Sequence, residues 1–193
     1  MRKGAKKMLG IPYKGSKRKL AEEIISFIRI NNPEARNFYD LFGGGGAISM
    51  CASHYFENVF YNELDSGVCK LFEFCLNNKI PEDWYQWVSR EQFHELKTTP
   101  TPYGGMVKQC WSFGNNGKDY LFSKENEELK MPLHNAIVNL CEKSLKDSEL
   151  KLGIEMPVSL LDEKLTIHKR WLLFKRHIQK SCGRFELQQL EQL

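Results

Sequence analysis

Apolar residues in the first part of the chain pass from a helical spacing to short continuous runs. Leu20, Ile24, Phe27 and Ile28 recur at i, i+4, i+7 and i+8, the period of a helix with one buried face. Ser16 stands where a side-chain oxygen would cap its first turn. Asn32-Pro33 ends that run, and Asn37 to Phe42 reads as a short buried strand leading straight into Gly43-Gly44-Gly45-Gly46. A second helix is expected from about Ala47 to His54, then a strand at Val59-Phe60-Tyr61 that stops at Asn62-Glu63-Leu64-Asp65, then a helix over Val68 to Leu76. Strand, glycine turn, helix, strand, acidic residue, helix is an α/β order.

From Pro81 the pattern changes. Trp84, Trp87 and Val88 suggest a helix, Thr98 to Gly105 reads as a Pro/Gly-rich loop, and Gly114-Asn115-Asn116-Gly117 is a turn signal. Leu133 to Lys146 and Leu160 to Lys180 are helical in period with no clear strand between them, so a mostly helical insertion follows the βαβ start. Leu187, Leu190 and Leu193 hint at one more helix at the C-terminus.

Composition narrows the class without naming it. With 41% hydrophobic and 27% charged residues in a chain of 193, a buried core is expected and a wholly disordered chain is excluded. The longest stretch free of formal charge, Leu41 to Phe56, contains the glycine run and is too weakly apolar to span a bilayer, and no apolar region follows the basic start. No membrane segment is expected, and cytoplasm is the default location. The six cysteines contain no C-x-x-C pair and do not cluster with the five histidines, which argues against a zinc or thioredoxin-type site. They read as reduced core residues.

Net charge is +4, but it is unevenly spread. Residues 1–20 hold eight basic side chains and no acid, and Lys164 to Arg184 holds seven basic and no acid. Two cationic islands on an acidic body attract polyanions through counterion release, with nucleic acid the first candidate and a plain solvated surface the other. On the second island, Arg170, Lys175 and Arg176 lie on the helix that contains Trp171 and are the residues expected to track a phosphate backbone.

Four glycines between a strand and a helix remove every Cβ from the turn, so a ligand can approach the main chain closely. The register of a dinucleotide fingerprint is broken, because position six from Gly43 is Ile48 and from Gly44 is Ser49. A P-loop is also absent, since Gly117-Lys118 lacks its upstream glycine and its following Ser or Thr. A nucleotide-binding oxidoreductase or a kinase is disfavoured on these grounds. Glu63 lies 20 residues beyond Gly43, the distance at which a second-strand carboxylate reaches ribose hydroxyls. Together with Asp40 it brackets the turn with negative charge, which suits a ligand carrying an ammonium and a sulfonium better than one rich in phosphate.

Pro12-Tyr13-Lys14-Gly15-Ser16-Lys17, Asp40-Leu41-Phe42-Gly43-Gly44-Gly45-Gly46 and Glu63 resemble, in the same order, the first three motifs of Dam-type DNA adenine-N6 methyltransferases, which use S-adenosylmethionine. The resemblance implies cofactor contact at Tyr13, Gly15, Lys17, Asp40, Phe42, Gly44, Gly46 and Glu63. Trp111 to Tyr120 is similar to the aromatic-Gly-x-Asn-Gly turn of that family's target-recognition region. It would put Asn116 and Lys118 against double-stranded DNA; an ordinary hairpin turn explains the same residues without a ligand.

The family's catalytic Asp-Pro-Pro-Tyr does not occur here, the nearest strings being Asn32-Pro33-Glu34 and Thr101-Pro102-Tyr103. No catalytic residue is therefore assigned. The expected fold is α/β, an incomplete Rossmann-like methyltransferase fold: residues 1–78 bind the cofactor, 79–184 form the DNA-facing insertion, and 185–193 lead towards an absent catalytic part. A truncated or split enzyme is the first expectation and a non-catalytic DNA-binding or regulatory remnant the alternative. Two strands alone leave edges and apolar faces open, so marginal stability, self-association or docking to a separate C-terminal catalytic fragment is expected.

Overall fold

The computed structural model describes residues 10–181. The basic residues before Gly10, together with Cys182, Arg184 and the Leu187, Leu190 and Leu193 helix, lie outside the described residues. The chain divides into two compact units, one formed by residues up to Ile80 with Val88–Leu121, the other by Pro81–Trp87 with the chain from Phe122 onward.

In the first unit, α1 (Ala21–Asn31) leads to β1 (Asn37–Asp40), α2 (Ala47–Ala52), β2 (Asn58–Tyr61) and α3 (Ser66–Asn77). The strands pair in parallel register from Asn37 with Asn58 to Asp40 with Tyr61. This is the expected α/β order, realised as a small parallel sheet in a mostly helical molecule. Residues Phe38 and Val59 face α1 and α2, joining a core of Ala21, Ile25, Ala47, Cys51, Ala52 and Phe56. Tyr39 and Phe60 point the other way and stack on each other, centroids 4.6 Å apart, while staying 60% and 48% exposed. One sheet face is therefore packed and the other is open among the described residues.

The first helix corrects its predicted stripe. Leu20 is the cap rather than a core residue, Ser16 makes no cap, and Phe27 is 70% exposed. Ala21 and Ile25 take the buried positions because α1 meets α2 through small side chains, Ala47, Cys51 and Ala52. Full burial of a residue such as Ile25 is worth about 1.5–3 kcal/mol.

Residues 98–105, expected as a loop, contain the start of α5 (Pro102–Cys110). Thr101 caps it through Gly104 N and Pro102 fills its first turn, where no donor is needed. Gly105 lies inside this helix because a side chain there would overlap the Gly67 carbonyl of α3, so α3 and α5 pack backbone to backbone. Ahead of it, α4 (Arg90–Leu96) opens with a reciprocal capping box between Ser89 and Gln92. These contacts place residues 88–121 in the glycine-turn unit, so the packed units do not part at residue 78.

The second unit holds α6 (Lys124–Asn139), α7 (Glu142–Leu152) and α8 (Ile167–Ser181). Leu133, Ala136 and Ile137 of α6 pack with Leu145, Met156, Leu160, Phe174 and Ile178. The expected helix over 133–146 is broken at Leu140, which has a left-handed φ of 56°, and the expected helix over 160–180 begins only at Ile167. Trp84 to Val88 forms a 3-10 turn at Glu82–Tyr85 instead of a longer helix. Trp87 stacks on Phe122 at 5.3 Å, and His134 Nε2 lies 2.7 Å from the Tyr85 carbonyl oxygen, which ties residues 81–87 to α6.

Candidate functional site

The glycine turn sits over the carboxyl ends of both strands. Asn62 N donates to Asp40 O at 2.9 Å and Gly43 N donates to Asn62 O at 2.8 Å, carrying the pairing past the last strand residues. Gly46 N then returns to Gly43 O at 2.8 Å, and the Tyr61 hydroxyl donates to Gly44 O at 2.6 Å. Gly44 and Gly46 have φ of 51° and 75°, values that side chains rarely adopt. At Gly46 a Cβ would enter the Phe72 ring, and at Gly44 it would lie 2.9 Å from Tyr13 Cε1. Both glycines are thus required by backbone and by neighbours.

This contact joins the first and second motifs in space. Ile11 N donates to Gly45 O at 2.8 Å, so the strand-like entry before Tyr13 is laid along the turn. Lys17 Nζ donates to Gly15 O at 2.8 Å, curling over the turn that contains Gly15 at φ 75°.

Glu63 is the third member of the cluster. Its Oε2 accepts from Gly44 N at 2.8 Å and its Oε1 from Asp65 N at 3.0 Å, so one carboxylate holds the glycine turn against the end of β2. Each oxygen keeps a second lone pair for another donor. Asp40 is held differently, its Oδ2 accepting from Ser49 Oγ at 2.6 Å. Burial raises the Tyr13 and Tyr61 pKa values, with Glu63 the next cause in both, so both phenols stay protonated donors.

Asp65 and Lys108 were not singled out by the sequence, yet they sit beside this cluster. Asp65 Oδ1 caps α3 by accepting from Gly67 N and Val68 N, and its Oδ2 pairs with Lys108 Nζ. Partial burial works to raise the Asp65 pKa. The Lys108 ammonium and the two amides outweigh it and hold the carboxyl below its ordinary value. The Asp65-Ser-Gly sequence carried the capping signal; its partner Lys108 is 43 residues away and had none. Leu64, beside Glu63, is 97% exposed and with Asp65, Ser66, Lys97, Pro100 and Lys108 lines a cleft of about 290 Å³. Phe42 is 92% exposed, so its ring does not wall a packed pocket.

Residues expected to face DNA fall in different places. In the first unit, Ser112 and Tyr120 form a bridge that closes the turn, with Gly114, Asn115 and Gly117 all at positive φ. Asn116 is spent inside it, its Nδ2 donating to Asp119 Oδ2 at 2.8 Å and its Oδ1 accepting from Lys118 N and Asp119 N. Lys118 is exposed, and its carbonyl accepts from Lys97 Nζ at 2.7 Å. In the second unit, Lys175 and Arg176 are exposed on α8, whereas Arg170 is 5% exposed. Its Nη1 donates to Leu165 O at 3.1 Å and Asp162 O at 3.3 Å, and its Nη2 to Val138 O at 3.4 Å. Arg170 therefore braces the start of α8 instead of presenting a charge to solvent.

Among the described residues no helix is long and apolar enough to cross a membrane. A family model described as D12 class N6 adenine-specific DNA methyltransferase matches residues 13–145, more than half of the chain. No curated protein and no solved structure matches it. The matched span contains Tyr13, the glycine turn, Glu63 and the Asn-Gly turn, and it stops before α8.

Proposed function

Because the chain belongs to the D12 class of N6 adenine-specific DNA methyltransferases, we propose that its first unit binds S-adenosylmethionine between Tyr13, the glycine turn and Glu63, next to the surface that meets DNA. The observation that carries this reading is Glu63: it fixes the Gly44 amide and still has a free lone pair on each oxygen, as a ribose-binding carboxylate needs. The fit extends to its neighbours. Gly44 and Gly46 leave the turn bare, Asp40 and Glu63 supply negative charge, and exposed Leu64 offers an apolar surface to a base. Phe42, Gly15 and Lys17 complete the set, Lys17 having two further N–H donors for a carboxylate. The order β1, α2, β2, α3 in parallel pairing supports the opening half of a Rossmann-like fold.

S-adenosylmethionine supplies an electrophilic methyl group on a positively charged sulfur. Asp40 and Glu63 favour that charge through space, and the Tyr13 ring walls the turn against water. Alignment of donor and acceptor then accounts for much of the rate in a transfer of this kind. The sequence holds no Asp-Pro-Pro-Tyr, so no residue here is assigned to accept the adenine amino protons.

The test is titration calorimetry with S-adenosylmethionine, followed by transfer of labelled methyl to duplex DNA. Saturable binding with no uptake of NAD or ATP supports the reading, and no heat at millimolar cofactor rejects it. The exposed Tyr39–Phe60 face supports the expected self-association or docking, and a sedimentation profile of a stable monomer with no partner would remove it.

A further inference from the structure

The second unit contains a cleft of about 1060 Å³ that no motif of the sequence pointed to. Its walls come from residues 82–86, from Val138 and Leu140 at the end of α6, and from residues 163–171 at the start of α8. The last of these stretches lies beyond the span that the family model matches. Leu140 takes its left-handed φ of 56° in this wall. Side chains rarely hold that conformation unless their surroundings fix it, and such positions gather at ligand sites.

Arg170 also lines the cleft, and it is a buried charge without a counter-ion. It is 5% exposed, and its Nη atoms reach only main-chain carbonyls, at 3.1, 3.3 and 3.4 Å. Among the described residues its Nε has no acceptor and no carboxylate pairs with it. Withdrawing a cation from water is costly, so a buried one is ordinarily paired. The start of α8 adds to the deficit. Thr166 caps it, Oγ1 accepting from Lys169 N at 3.3 Å and the carbonyl from Arg170 N at 3.0 Å. The amides of Ile167 and His168 have no partner inside the helix, and the first turn holds no acid to meet the positive end of its dipole. Both residues line the cleft with Lys164, so the buried guanidinium and the helix start lack an anion at the same place. The opposite sign is present too. Glu82, Asp83 and Glu163 are exposed in the same lining, where they oppose a multiply charged phosphate and can accept from an ammonium. Tyr85, Val138 and Trp171 supply aromatic and apolar surface.

We propose that this cleft binds a small zwitterion with an aromatic body, the chemistry of a free aromatic amino acid or a short peptide. Its carboxylate lies against Arg170, Lys164 and the first amides of α8, its ammonium faces the three acids, and its ring packs on Trp171 and Tyr85. The site belongs to the second unit alone and does not rest on the cofactor reading, which concerns the glycine turn of the first.

The experiment is titration calorimetry on the full chain with L-tryptophan and with the dipeptide tryptophylglycine, alone and then with saturating S-adenosylmethionine, itself a zwitterion. Saturable uptake that S-adenosylmethionine leaves unchanged is expected, and the tighter of the two probes tells a free amino acid from a peptide. Tryptamine, which lacks the carboxylate, should bind about 10- to 150-fold more weakly than L-tryptophan, and indole-3-propionate, which lacks the ammonium, about two- to fivefold more weakly. Lys164→Ala and Asp83→Asn, at exposed positions, should each weaken L-tryptophan about two- to fivefold with unchanged melting curves. Arg170→Met, measured below its own Tm, should weaken it about 10- to 150-fold. No uptake of either indole zwitterion at millimolar concentration would overturn the proposal. Tryptamine or indole-3-propionate binding as tightly as L-tryptophan would overturn it as well, because the cleft would not then be reading both charges. Inorganic phosphate competing as well as L-tryptophan would reduce the site to a bare anion hole, and loss of the heat under saturating S-adenosylmethionine would put the amino acid in the first unit; either result refutes it.

Discussion

Replacing Glu63 by glutamine removes one negative charge and converts one acceptor oxygen into an NH2 donor. In the structure both oxygens are in use, one at 2.8 Å from Gly44 N and the other at 3.0 Å from Asp65 N. Whichever way the amide is turned, one main-chain N–H loses its acceptor and faces a donor. Leaving a part-buried donor unmet costs about 1–3 kcal/mol. For a chain of this size that corresponds to a fall in Tm of about 2–12 °C. The cofactor effect is separate: losing a charged acceptor for ribose hydroxyls, worth about 1.5–3 kcal/mol, weakens S-adenosylmethionine roughly 10- to 150-fold. Calorimetry at a temperature where the variant is folded, paired with a melting curve, reads both. A variant that melts lower yet binds the cofactor as wild type does would show that Glu63 is only a strut, and the proposed site would be wrong.

Gly46→Ala should cost about 1–2 kcal/mol for its left-handed backbone alone, and the overlap with Phe72 makes it worse than Gly114→Ala, where φ is 57° but nothing lies within 4 Å; equal melting shifts for the two would refute the packing argument. The Asp65 carboxyl titrates below its ordinary value in the folded protein, so its stabilisation is complete above the unfolded pKa of about 3.9 and is lost as pH falls through the lower folded value. Urea unfolding of wild type and Asp65→Asn should therefore show a difference at neutral pH that vanishes on acidification; a difference that grows in acid contradicts it. Arg170→Met should lower Tm and leave the salt dependence of DNA binding unchanged, because the guanidinium is buried on main-chain carbonyls. Lys175→Ala, at an exposed position on the same helix, should leave Tm unchanged and flatten that dependence by about 0.9 if α8 meets the phosphates.

Local signals carried much of the first unit. Short apolar runs and helical stretches between turn residues found β1, β2, α2 and α3 within a few residues, because each has a turn residue or an Asp cap at its edge. The same rules failed for α5, where Pro102, Gly104 and Gly105 look like a loop. Proline at a helix start and glycine where two helices touch are both compatible with a helix, but the second reason exists only once α3 is in place. Alone, the Ser89-x-x-Gln92 box was readable and would have found α4.

For the candidate site, the glycine run and the spacing to Glu63 were legible in the sequence, and the structure brings Gly44 and Glu63 together because both lie at the ends of paired strands. Lys108 was out of reach, since it pairs with Asp65, which the fold supplies from a distant segment. Arg170 shows the converse. Its surroundings in sequence, Lys164, Lys169, Lys175 and Arg176, are those of a cationic surface, and charge counting treats all five alike. Yet α8 buries Phe174 and Ile178 in the second core, and Arg170 is one helical turn before Phe174 and two turns before Ile178, on the same face. A guanidinium on that stripe meets the carbonyls of Val138, Asp162 and Leu165 instead of solvent, so the periodicity that predicts the apolar side of the helix already separates Arg170 from Lys175 and Arg176. Charge becomes evidence for a nucleic-acid surface only after it has been sorted by helical face.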